Sequence, residues 1–182
     1  ANMPKENISR AISKSENKNE KNYENLRYEG FGPFNTALII ETLTDNKNRS
    51  ASSIRTILQK NGGRLGESGS ASHLFYNCGI IHIENTKISE EDVFEIATNL
   101  GAKDCLKKKD FHEIITEKED FYKVKTGFEK KISIFSYSAI EWRALNYVNL
   151  NKEQSKKMSD VLITLEELDD VQTVYTNGKI LN

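Results

Sequence analysis

Between Gly79 and Tyr137 the apolar residues alternate between a two-residue and a 3.6-residue period in the order strand, helix, strand, strand, helix, strand, an order that few topologies accept. Strand patterns fall over residues 80–84, 103–106, 111–116 and 132–137. The first helix has Ser89 as its cap and Asp92 three residues on, then Val93, Ile96, Ala97 and Leu100 at helical spacing. The second carries Phe121, Val124 and Phe128. This βαββαβ order predicts a ferredoxin-like arrangement.

The flanking sequence predicts a second α+β assembly. Strand patterns at 23–30 and 36–44 enclose Phe31-Gly32-Pro33-Phe34-Asn35, whose Gly and Pro suit a hairpin or tight crossover. A helix follows over 47–61, with Ala51, Ile54, Ile57 and Leu58 inward and Gly62-Gly63 as its stop. A strand is expected at 72–76. A last helix starts near Asn151, with Met158, Val161, Leu162, Leu165 and Leu168 on one face, and a final strand covers 171–175. At the opposite end, Asn2 caps a short helix pattern through Ile8, Ala11 and Ile12, and a polar run over 14–22 reads as a linker. One such helix cannot bury its face alone, so it is expected to dock elsewhere or to belong with residues that precede it.

A chain of 182 residues holds one or two domains. Its longest apolar run, Ala37 to Ile40, is far short of the roughly 20 residues a membrane helix needs, and no signal-peptide pattern opens it. Cys78 and Cys105 lack C-x-x-C spacing, so neither a zinc ribbon nor a disulfide framework is expected, and a reducing cytosol-like compartment fits. His73, His82 and His112 lack the helical spacing of a metal pair and read as ordinary strand or surface histidines. No metal or other cofactor is expected.

The net charge of −1 exerts no global pull on polyanions, so any nucleic-acid role must rest on local charge. Such a segment exists. Between Asn46 and Gly66 stand Lys47, Arg49, Arg55, Lys60 and Arg64 without one acidic residue. With the apolar stripe turned inward, these cations fall on the solvent side and helix ends, where they suit phosphates. The backbone N–H groups of Gly62, Gly63 and the following loop are expected to approach a phosphate closely. The plainer reading is a solubilised helix whose Lys60 complements its carbonyl end.

Catalytic readings of the glycine-rich stretch 60–70 fail. A Walker loop needs Gly-Lys before Ser or Thr, whereas Gly66 precedes Glu67 and Ser68, and a nucleophile elbow needs glycine where Ser70 stands. An enzyme built on Ser68 also lacks a visible base. The acidic run Glu166, Glu167, Asp169 and Asp170 reads as a solvated helix end, with a basic partner or the amino-terminal region as the sharper option. Trp142 and Tyr147, near Arg143, read as strand aromatics packing on a helix in preference to stacking on bases.

Four strings then align the chain with a known family. RYEGFGP (27–33), LTDNKNRSAS (43–52), KNGGRLGESGSASHLF (60–75) and LDDVQTVYTN (168–177) resemble the YebC family, which includes mitochondrial translational activators of cytochrome oxidase. Residues 2–12 are similar to the family's last amino-terminal helix. The resemblance implies residues 1–22 as that helix plus linker, a discontinuous middle α+β domain at 23–77 and 151–182, and an inserted ferredoxin-like domain at 78–150, most of the amino-terminal helical domain being absent. It also implies a non-enzymatic regulator of gene expression that binds DNA, or ribosomal RNA on the ribosome, in the cytoplasm or, in a eukaryote, the mitochondrion. A protein-interaction scaffold, with the ferredoxin-like part holding a partner or small effector, is the alternative. Two departures stand out. Phe34-Asn35 replaces the usual Gly-Gly after Gly-Pro, which puts the turn geometry in question, and the segment 140–145 lacks the usual proline.

Overall fold

Glycine and proline at 30–33 interrupt an extended run and let it double back, so Glu24–Phe31 (β1) and Ala37–Thr44 (β2) pair antiparallel, with Glu24 opposite Thr44 and Phe31 opposite Ala37. The computed structural model describes residues 22–181. The helix expected over 2–12 and the polar run up to residue 21 lie outside the described residues. After β2 come α1 (Lys47–Lys60), β3 (Arg64–Leu65), β4 (Phe75–Glu84), α2 (Glu90–Leu100), β5 (Asp104–Lys107), β6 (Phe111–Glu117) and α3 (Phe121–Glu129). The chain ends with β7 (Tyr137–Ala144), β8 (Val148–Asn149), α4 (Lys152–Glu166), β9 (Val171–Thr176) and β10 (Gly178–Lys179). These elements divide into two compact units, one formed by the described residues up to Tyr76 and from Arg143 onward, the other by Asn77–Trp142.

In the first unit an antiparallel sheet runs in the order β3-β1-β2-β9. Alternation along β2 sends Leu38 and Ile40 to one face, where α1 and α4 supply Ile54, Leu58, Met158, Val161 and Leu165 to a shared core. Leu150, just before α4, is buried in the same core. Asn46 caps α1 by accepting from the Arg49 N–H at 3.1 Å. Asn151 and Gln154 form a reciprocal capping box on α4. A short parallel pair sets Gly178 beside Val148.

The second unit has strand order β5-β6-β4-β7, which in its own strand numbering is 2-3-1-4, the ferredoxin-like order. Ile81, Ile83 and Ile114 from the sheet meet Val93, Ala97, Phe121, Val124 and Phe128 from the helices. The Ser89 cap forms as expected, its hydroxyl accepting from the Asp92 N–H at 3.1 Å, and Gly101 ends α2 with φ 83°. The molecule is thus a mixed α+β fold with a ferredoxin-like part.

Two expected strands are corrected. The pattern at 132–137 is a loop followed by β7. Ile132 and Phe135 are apolar because they pack on the core from that loop, not because they alternate in a sheet. Residues Ser72–Leu74 are a single 3-10 turn, and the strand begins at Phe75, continuing unbroken through the segment expected at 80–84. The N–H groups of Ala71 and Ser72 are held by a carboxylate, which takes them out of any strand ladder.

Phe128 is fully buried at the centre of the second core. Phe128→Ala is expected to cost about 3–5 kcal/mol in urea unfolding, because both transfer energy and packing are lost. A loss under 1 kcal/mol would mean that this core does not hold the unit.

Candidate nucleic-acid interface

The basic segment 46–66 is placed on the first unit, and the structure sorts its cations by what each touches. Arg49 lies in the first turn of α1, where its Nη2 donates to Asp45 Oδ1 at 2.6 Å and to Asp170 Oδ1 at 2.9 Å, and its Nε donates to Asp170 Oδ2 at 3.2 Å. Hydrogen bonds to Asp170 and then Asp45 push its already high pKa further up. Ser50 Oγ donates to the same Asp170 Oδ2 at 2.7 Å. The expectation that Arg49 faces a phosphate is therefore corrected, since its guanidinium neutralises a carboxylate that is only 7% exposed. The reading of Asp170 as part of a solvated helix end is corrected by the same contacts.

Lys47, Arg55, Lys60 and Arg64 are exposed, and no carboxylate among the described residues pairs with them. Arg55 and Lys60 flank the outward strip of Ser52, Thr56 and Gln59. Lys47 and Lys60 stand about 20 Å apart along the axis at 1.5 Å per residue. The five cations do not form one cluster. What converges is the carboxyl-terminal end of α1 with the hairpin tip.

At that end the expected backbone cradle is absent. The Gly63 N–H donates to the Leu58 carbonyl at 2.8 Å and the Gly62 N–H to Gln59 at 3.5 Å, closing the helix, while the Gly66 N–H donates to the Glu29 carbonyl at 2.8 Å. Gly62 and Gly63 thus shape the site without offering donors. Gly62 takes φ 78°, and a Cβ on Gly63 would lie 2.1 Å from the Phe31 carbonyl oxygen, so only glycine lets β3 approach β1 here. The Arg64 guanidinium then lies over the Phe31 ring, 4.6 Å from its centroid. A cavity of about 430 Å³ opens there, lined by Phe31, Gly32, Phe34, Asn35, Gly62, Gly63 and Arg64.

The sequence marks Phe34 only as a departure at the turn and gives neither aromatic a binding role. Phe34 and Asn35 both take left-handed backbone, at φ 62° and 58°, in the positions where the resemblance leads one to expect Gly-Gly. Lys157 of α4 stands over the Phe34 ring at 5.7 Å. The replaced glycines were the available signal, because a bulky residue such as Phe34 in a turn that glycine suits carries strain.

The remaining glycine-rich stretch is ordered by Glu29. Its carboxylate accepts N–H bonds from Gly69 at 2.6 Å, Ala71 at 3.0 Å and Ser72 at 2.5 Å. Burial opposes ionisation, but the hydrogen bonds from Gly69, Ser72 and Ala71 outweigh it and hold the carboxyl below the usual carboxylate range. His73 Nδ1 meets the Gly69 carbonyl at 3.2 Å. In the ferredoxin-like unit His82 Nε2 meets Glu113 Oε2 at 2.8 Å and His112 Nε2 meets the Ile88 carbonyl at 3.3 Å. Among the described residues no cluster of His, Cys, Asp and Glu is placed to hold a metal, and no helix is long and apolar enough to cross a membrane. Cys78 and Cys105 are free thiols.

A family model described as the second and third domain of TACO1/YebC matches residues 23–178. The chain belongs to the YebC family. It is similar to a probable transcriptional regulatory protein of Pelagibacter ubique, 52% identical over 182 residues, which covers the whole of this chain and 76% of that relative. A probable transcriptional regulatory protein of Zymomonas mobilis is 43% identical over 178 residues, 98% of this chain and 72% of the relative. The crystal structure of a conserved hypothetical protein from Aquifex aeolicus superposes with a TM-score of 0.80 at 37% identity, covering 98% of this chain and 74% of that one. The YebC strings coincide with structural joints: RYEGFGP enters the hairpin, LTDNKNRSAS contains the α1 cap, and LDDVQTVYTN carries Asp170 into β9.

Glu29 yields a pH test. Its folded pKa lies below the unfolded value of about 4.3. The stability it contributes is present above that value and lost as pH falls through the lower folded one. Glu29→Gln is expected to cost about 1–3 kcal/mol at pH 7 and to flatten the loss of stability in acid. Unfolding in urea at pH 7, 5 and 3 measures both, and an unaltered acid limb would remove Glu29 from this role.

Proposed function

We propose that this YebC protein is a non-enzymatic regulator of gene expression that binds nucleic acid, either DNA in transcription or ribosomal RNA in translation. The observation that carries the reading is the acid-free stretch of α1 and its turn, on which Lys47, Arg55, Lys60 and Arg64 stand exposed and unneutralised among the described residues. Relatives named probable transcriptional regulatory proteins support the same role. Lysine and arginine in this setting neutralise phosphates and release counterions, which supplies affinity with little base discrimination. The protein would do so in the cytoplasm, where both polyanions are at hand. Gly62 and Gly63 serve by carrying the chain from Lys60 to Arg64.

A second reading, as an interaction scaffold, draws on the ferredoxin-like unit. A cavity of about 560 Å³ there is lined by residues that include Phe94, Cys105, Lys107 and His112, and Phe94 is 60% exposed. A partner protein retained after nuclease treatment and released by Phe94→Asp favours that reading.

For the leading reading, Arg55→Glu with Lys60→Glu is expected to weaken binding at least tenfold at physiological salt. If both residues contact duplex phosphates, the slope of log K against log salt shrinks by about 1.8. Mobility shift on promoter DNA and co-sedimentation with ribosomes, run side by side, identify the physiological polyanion. Binding to both that is unchanged in the double variant would take these two residues out of the interface.

A further inference from the structure

We infer that the tip of the β1–β2 hairpin is a stacking subsite for one unpaired nucleobase of a single-stranded nucleic acid; this rests on the nucleic-acid reading above and specifies what the site takes. The cavity of about 430 Å³ has no acidic residue in its lining and two phenyl rings, Phe31 and Phe34. Each ring has a cation over one face, Arg64 at 4.6 Å from the Phe31 centroid and Lys157 at 5.7 Å from that of Phe34. A nucleotide brings a flat π surface and a phosphate joined by a short sugar, and this arrangement offers a partner for each. The guanidinium of Arg64 is itself a planar surface on which a base can lie. The exposed Asn35 amide supplies one donor and one acceptor at the rim, suited to a base edge.

Size and strain point the same way. The volume falls in the range of small-molecule sites, whereas paired bases in a duplex already have both faces stacked and have none to offer. Holding Phe34 at φ 62° is costly in a turn that glycine adopts freely, whereas Asn35 at φ 58° is a residue type that tolerates left-handed backbone. Packing of Phe34 on the core accounts for part of its ring, which is half-buried. It leaves unexplained the lining of an open cavity by the ring and by Asn35.

The test uses the full chain and fluorescence anisotropy with an unstructured 12-nucleotide RNA, a DNA of the same sequence, and the DNA duplex. The wild-type protein is expected to bind the single strands more tightly than the duplex. Phe34→Leu keeps apolar bulk but removes the π face, and is expected to weaken single-strand binding about five- to tenfold while duplex binding stays within twofold and the salt slope is unchanged. Phe34→Trp is expected to restore the affinity. The RNA and DNA arms show which sugar the subsite tolerates. If Phe34→Leu leaves single-strand affinity within twofold while the Arg55 and Lys60 reversal still weakens binding, the stacking subsite is wrong and the phosphate reading stands. Equal losses on single strand and duplex also overturn the subsite. No binding to any of the three probes by the wild-type chain, nor to ribosomes, overturns both.

Discussion

A carboxylate removed from water needs donors, and at the start of β9 Asp170 obtains them from the first turn of a helix about 120 residues earlier in the chain. Arg49 and Ser50 both reach it, and its backbone carbonyl accepts the Leu43 N–H at 2.8 Å, so β2, α1 and β9 are tied at one point. The tie fixes the rotation of α1 about its own axis. With Ser50 inward, Ile54 and Leu58 follow at helical spacing into the core, and Arg55, Gln59 and Lys60 are left outside. Which cations of α1 face outward thus follows from the buried acid together with the apolar stripe of Ile54 and Leu58. Removing a partner from such a group leaves an unpaired charge, which is far costlier than losing a surface ion pair.

From that anchored start, α1 delivers its far end to the hairpin tip, and glycine sets how closely. The approach of Gly63 to the Phe31 carbonyl admits no side chain, and the N–H groups of both glycines are used in ending the helix. The chemistry of the site therefore rests on side chains, with the backbone acting as a spacer. That distinction matters for specificity, because a cradle of N–H groups reads a phosphate alone, whereas rings beside cations can also read the face of a base.

Much of this was legible in the sequence, and the exceptions have a common physical origin. The α1 span, the Ser89 cap and the βαββαβ order follow from periodicity and local hydrogen bonding, which act over a few residues. Asp170 was read as a solvated helix end because nothing near it in the chain announces Arg49. Residues Ile132 and Phe135 imitate a strand since a loop that packs on a core has the same composition as one that alternates. Ser72–Leu74 missed its strand because Glu29, some 43 residues away, holds the local N–H groups. The hairpin tip was half visible: Phe34-Asn35 stood out as a departure, but its pairing with Lys157 depends on where α4 lands.

A net charge near zero is compatible with a polyanion-binding surface once the acids are located as well as counted. On the first unit Glu29 is enclosed by backbone N–H groups, Asp170 and Asp45 face Arg49, and Glu41 accepts from Arg27 Nε at 3.1 Å. Carboxylates engaged in this way project little field beyond their partners. At physiological salt, screening confines exposed charge to about 8 Å. Along α1 and its turn, Lys47, Arg55, Lys60 and Arg64 are exposed and no acid lies between Asn46 and Gly66, so the local charge there is positive although the total over the chain is not. Acids elsewhere matter less to contact than to solubility, and so a polyanion-binding surface can be carried on an otherwise neutral molecule.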